Sequence, residues 1–258
     1  MAYATYREKE PIDPKQQQEN QAKITGHGLA RIYGYMGIGL AITAGVAVLV
    51  AWFFSSHINS VDSLNTWNSW VIGYLATVIG CAIACLILSF VVPITAMRNK
   101  HSIWVPYILY AIFMGGLLSA LLLAGISWAI IGEAFGISAV AFLIMFFIGF
   151  FAKKDISLPL YVIIGLLSMV ALVLVFWILF GIIFGWGNLR TIDIIYSVII
   201  CVIMLLFIAI DGARAKTIAG KGGVTNNIYL YCSFVMYSDF ISLFVRVVYL
   251  LSRFSNNR

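Results

Sequence analysis

Charge is what this chain has least of. Of 258 residues only 10% are Asp, Glu, Lys or Arg, while 62% are hydrophobic. A soluble domain carries about a quarter charged residues. With a mean hydropathy of +1.01, the composition excludes a soluble fold built around one buried core. Cysteine is also scarce: Cys81, Cys85, Cys201 and Cys232 all fall in apolar segments. No His or Cys at zinc spacing accompanies the Cys81–Cys85 pair. The four read as small buried side chains, and the redox compartment stays open. An apolar core near the start is missing, so no cleavable signal is expected. Strand-type alternation over about ten residues is missing too, which argues against a membrane barrel. No basic-aromatic groove accompanies the net charge of +6, so no nucleic-acid partner is expected.

What the chain does have is long apolar runs. In hydrocarbon every backbone polar group must be paired within the protein, and runs of about 20 apolar residues select helices. The sequence predicts an all-α, polytopic membrane protein with seven spans. These lie near 32–54, 70–97, 103–131, 134–152, 158–184, 194–213 and 227–251. Residues 1–31 are polar and expected to be a disordered tail. Residues 32–253 form the transmembrane domain, and 254–258 a short tail. The first span holds the small-xxx-small pairs Gly37/Ala41 and Ala41/Gly45, which suit close helix packing in lipid. Pro93 is a kink site in the second, and a turn containing Glu133 is expected between the third and fourth. A GKGG run at 220–223 lacks the spacing of a phosphate loop. His57 and Asp62 read as solvated loop residues.

Basic residues cluster on alternate loops. Arg7, Lys9, Lys15, Lys23 and Arg31 precede the first span; Arg98 and Lys100 follow the second; Lys153 and Lys154 the fourth; Arg214, Lys216 and Lys221 the sixth. If every span crosses, all lie on one side, which places the amino terminus in the cytoplasm. Arg246, Arg253 and Arg258 then fall toward the other side, against the trend, unless the seventh span is re-entrant.

Two acids cannot be shed into loops. Asp211 closes the sixth span, and Asp239 lies within the seventh. Charged groups inside a lipid-compatible segment are costly and mark functional sites. Asp239, Ser242 and Arg246 share one helix face at i, i+3 and i+7. The plain alternative is a helix glued to its neighbours by one polar pair. Asp239 sits roughly 18 Å along its span, whereas Asp211 is at a span end. The two meet only if a helix tilts or protrudes. Two buried carboxylates at close range cannot both ionise cheaply and share a proton; an arginine beside them favours the ionised pair. That chemistry suits a pH-gated ion path, a proton relay or an aspartyl hydrolase.

The stretches EAFG (133–136), FFAKKDIS (150–157), AIDG around Asp211 and MYSDFISLF (236–244) resemble the transmembrane Bax inhibitor motif family, the Bax-inhibitor-like calcium leak channels of bacteria and eukaryotic endomembranes. The last stretch is similar to that family's LYLDFINLF. The likeness covers about 33–253. It implies seven helices with the last one central among six, and a pH sensor formed by Asp211 and Asp239. It also implies an arginine latch at Arg98 in the closed state. Gly212-Ala213-Arg214 and Tyr237-Ser238 depart from the family's usual residues.

The expected function is therefore a pH-sensitive, calcium-permeable leak channel, not an enzyme. Asp211 and Asp239 offer hard oxygen ligands on a Ca²⁺ path, and Arg98 completes the gate. No cofactor is expected beyond Ca²⁺ as the transported ion. The partners are the bilayer, Ca²⁺ and protons, and protein partners stay open. A bacterial cell membrane is the expected location, or an endomembrane in a eukaryote. Two other readings stand: a regulatory membrane protein without transport, and an intramembrane aspartyl protease. The protease reading lacks the Gly-x-Gly-Asp that would admit a substrate backbone at Asp239. A proton-coupled antiporter is disfavoured, since no inverted repeat joins the halves.

Overall fold

A computed structural model describes residues 14–59, 64–98, 102–151, 190–221 and 224–255. Every regular element among them is a helix: α1 (Pro14–Asn59), α2 (Leu64–Arg98), α3 (Trp104–Leu123), α4 (Trp128–Phe151), α5 (Arg190–Ala219) and α6 (Asn226–Ser255). All six contain a stretch long and apolar enough to cross a membrane. Helices α5 and α6 correspond to the sixth and seventh expected spans. The expected fifth, 158–184, lies outside the described residues.

The surface is built for lipid. Large apolar side chains such as Leu49 (64% exposed), Leu86 (62%) and Ile148 (57%) point outward. In water such continuous patches would drive aggregation.

Several boundaries differ from the sequence expectation, and three of them shape the bundle. Helix α1 begins at Pro14, not at Ile32, so much of the polar segment expected to be disordered is helical. Its 46 residues span about 69 Å, roughly twice a ~30 Å hydrocarbon core. Only the end of the added stretch rests on a partner among the described residues: Ile32 packs with Ala215, Ala219, Tyr229 and Cys232, and Arg31 lies 5.9 Å from the Tyr229 ring centroid. Helix α3 stops at Leu123 rather than Ile131. The Ala124 amide bonds to Ala120 O (2.9 Å), and Gly125 takes φ 77°, the left-handed turn that ends helices. Ser127 Oγ then accepts the Ile130 amide (3.3 Å), an N-cap contact. Glu133 therefore lies inside α4, not in a turn. The third difference, at the end of α5, bears on the acids and is taken up below.

The buried face of α1 is Ile32, Met36, Gly39, Thr43, Ala47 and Ala51. Among the described residues nothing lies within 4 Å of a Cβ built at Gly37 or Gly45, so that triplet does not pack α1 on the described helices. Both faces of α1 carry small residues at i, i+4 spacing, so spacing alone does not choose between them. Helix α6 touches each of the other five described helices. Its buried side includes Leu230, Phe234, Tyr237, Ile241 and Phe244.

A polar knot joins α1, α3 and α6 in this core. Thr43 Oγ lies 2.9 Å from Gly39 O, 3.0 Å from Ala111 O and 2.5 Å from the Tyr237 hydroxyl. Thr43 has one proton and faces two carbonyls, so the Tyr237 hydroxyl donates to Thr43. Tyr237 is fully buried. Thr43→Val strands that donor, and a stranded buried donor costs roughly 1–3 kcal/mol. The expected result is a lower unfolding temperature in detergent. Adding Tyr237→Phe to Thr43→Val should recover part of the loss; a strictly additive double variant would refute the coupling.

Candidate functional site

The acids meet because α5 does not end where its apolar run ends. The sixth span was expected to close at Ala213, but the helix continues to Ala219. Nothing from Ala213 to Ala219 breaks a helix, and Gly220 follows. Asp211 thus lies about 12 Å from the α5–α6 turn along its axis, and Asp239 about 20 Å. The depth mismatch expected from sequence is thereby roughly halved, to about 8 Å.

The extension is held on two sides. Lys216 Nζ donates to Phe150 O (2.6 Å) and sits 4.7 Å from the Phe150 ring centroid. Phe150 is in the last turn of α4, where carbonyls lack intrahelical partners. On the other side Gly28 of α1 lies against Ala219, where an added Cβ would come within 2.8 Å of the Ala219 Cα. Ser233 of α6 lies 2.8 Å from both Ile32 O and Tyr229 O, which fixes α6 to the same end of α1.

Asp211 and Asp239 lie close enough for each carboxyl group to act electrostatically on the other. Asp211 also accepts an ion-pair hydrogen bond from Arg214 Nη1 at 3.0 Å, with side chains 13% and 48% exposed respectively. The acid is shielded while the guanidinium reaches outward. Pairs this exposed contribute about 1 kcal/mol or less to stability, so what Arg214 chiefly supplies is a fixed charge. Tyr231 and Cys232 of α6 also neighbour Asp211. Among the described residues the buried Asp239 Oδ2 atom meets no hydrogen-bond donor, which is rare for a buried polar atom.

Of the three residues singled out from sequence, the structure brings together Asp211 and Asp239. It does not bring in Arg98, which is exposed at the end of α2. Among the described residues Arg98 pairs with neither acid. Arg214 stands beside Asp211 instead. The sequence signal for it was its i+3 spacing from Asp211, invisible while the sixth helix was expected to stop at Ala213.

Among the described residues no cluster of three or more His, Cys, Asp or Glu could hold a metal ion. Two carboxylates offer four oxygens at most, short of the 6–8 that Ca²⁺ takes. A separate cavity of about 340 Å³ between α1, α3, α4 and α6 is lined by Leu121, Trp128, Phe135, Phe240 and Phe244. Its wall holds no acid, and Thr43, its polar group, is already engaged.

Comparison with known proteins gives the same picture of a membrane chain. An uncharacterized membrane protein of Streptococcus pyogenes serotype M3 is 28% identical over 226 residues, covering 87% of this chain and 91% of its own length. A counterpart from serotype M1 matches with the same identity and coverage. The family model described as inhibitor of apoptosis-promoting Bax1, the Bax inhibitor motif family, matches residues 26–256. With nearly its whole length matched, the chain is a member of the Bax inhibitor motif family.

Proposed function

We propose that this protein is a pH-sensitive, calcium-permeable leak channel. Seven helices span the membrane, with α6 at the centre and the amino terminus in the cytoplasm. A bacterial cell membrane is the proposed location, in keeping with streptococcal membrane proteins as relatives. The observation that carries the reading is the proximity of Asp211 and Asp239 inside a helical bundle, with Arg214 on one of them.

Charge counting gives the gate. With both acids ionised, two negative charges face one fixed positive charge from Arg214, leaving a net −1. Arg98 closes the path by binding that remaining charge. One proton shared between the carboxyls makes the group neutral, and Arg98 is released. Acid therefore favours the open state, and the arrangement with Arg98 exposed is the unlatched one. Ca²⁺ passes the carboxyl oxygens as cargo, keeping part of its water shell. No catalytic step belongs to this reading.

The test is Ca²⁺ entry into liposomes holding the pure protein and an entrapped calcium dye. Entry above that of empty liposomes, rising as pH falls, is expected. Folded protein that passes no ion at any pH would sink the channel reading. It would favour the second one, a regulatory membrane protein acting through partners, which the family's description as an inhibitor supports.

A further inference from the structure

We infer that Arg246 is the selectivity-determining residue of the ion path, a fixed positive charge on the α5–α6 seam that weights passage against divalent cations. The inference rests on the channel reading above. Arg246 lies on the same face of α6 as Asp239, seven residues on, about 10 Å along the axis. It is half-buried, and its guanidinium sits 5.7 Å from the ring centroid of Tyr196 on α5. Cys201, also on α5, is within its electrostatic range. Arg246 is thus turned toward the helix that carries Asp211, not toward lipid. A cation–π contact holds the guanidinium in place without neutralising it. The seam that has a net negative end at the acids therefore has a positive station further along.

A fixed charge acts on a passing ion in proportion to that ion's own charge. Whatever factor Arg246 imposes on a monovalent cation, it imposes the square of that factor on a divalent one. The squared dependence separates electrostatics from packing: a loosened seam would pass both ions faster by a similar factor.

The experiment compares Na⁺ and Ca²⁺ entry into liposomes for the native protein, Arg246→Gln, Arg246→Met and Arg246→Lys. If neutralisation raises Na⁺ entry threefold, Ca²⁺ entry should rise about tenfold. Arg246→Lys should keep the native Ca²⁺/Na⁺ ratio. Two neutral variants of different polarity guard against one that fails to fold, as judged by elution as a single species. A ratio within twofold of native in whichever neutral variant folds overturns the inference, including the case where both ions speed up equally. If the native protein passes neither ion, the channel reading fails and takes this inference with it. If the native protein conducts and the ratio stays put, only the role of Arg246 fails.

Discussion

Asp239→Asn is expected to flatten the pH dependence of Ca²⁺ entry and to leave the path open at neutral pH. The amide has the shape of the protonated acid and cannot ionise. In the native group one proton separates net −1 from neutral, because Arg214 already cancels one carboxylate. The variant is fixed at the neutral count, so Arg98 has no charge to hold. The sign follows directly. Native entry should rise as pH falls, by at most about tenfold per pH unit for a one-proton switch. The variant at pH 8 should match the native protein at low pH, and its own pH 8 to pH 6 ratio should stay within about twofold. The amide matches the carboxyl in size and removes a charge that is costly to bury, so the variant should fold, as checked by elution as a single species. Unchanged flux with unchanged pH dependence would remove Asp239 from the gate.

Gly149→Ala is expected to lower stability sharply through backbone overlap. Gly149 of α4 abuts the carbonyl of Ala209 on α5; an added Cβ would overlap that oxygen and lie 2.9 Å from its carbonyl carbon and 3.2 Å from its Cα. A side chain can rotate out of the way, but a helix backbone moves only as a body. Overpacking of this kind costs roughly 1–3 kcal/mol. Here it also pushes α5 off α4 two residues before Asp211, which should disturb the acid contact. The unfolding temperature in detergent should fall by several degrees. Gly136, on the same helix, has nothing among the described residues within 4 Å of a built Cβ. Gly136→Ala should be neutral or slightly stabilising, because Ala favours a helix by about 1 kcal/mol over Gly. Equal behaviour of the two variants would mean that α4 and α5 do not approach as closely as described.

Much of the fold was legible because lipid imposes a simple rule. A long apolar run must be a helix, and the runs around 32–54 and 70–97 announce themselves. The turn at Ala124–Ser127 was misplaced because apolar residues continue on both sides of it. Only Gly125 and Ser127 mark the break, and glycines are scattered through these spans. The amino segment was read as disordered because it is polar. Its helix is stabilised by packing on Ala219 and Tyr229, which no local pattern reveals. The choice of Gly39 and Thr43 over Gly37 and Gly45 as the packed face of α1 depended on where Tyr107 and Tyr237 come to lie.

The sequence by itself determined that this is a helical membrane protein and that Asp211 and Asp239 are its anomalous charges. Hydropathy and the cost of charge in lipid are local quantities, additive along the chain. Only the tertiary structure decided which cation stands beside those acids. Arg214 reaches Asp211 because α5 continues past its apolar run, held by Lys216 on Phe150 and by Gly28 on Ala219. Arg98, equally basic and equally near a span end, points elsewhere. Ion pairing depends on distance in space, and helix length past the membrane is set by neighbours rather than by hydropathy.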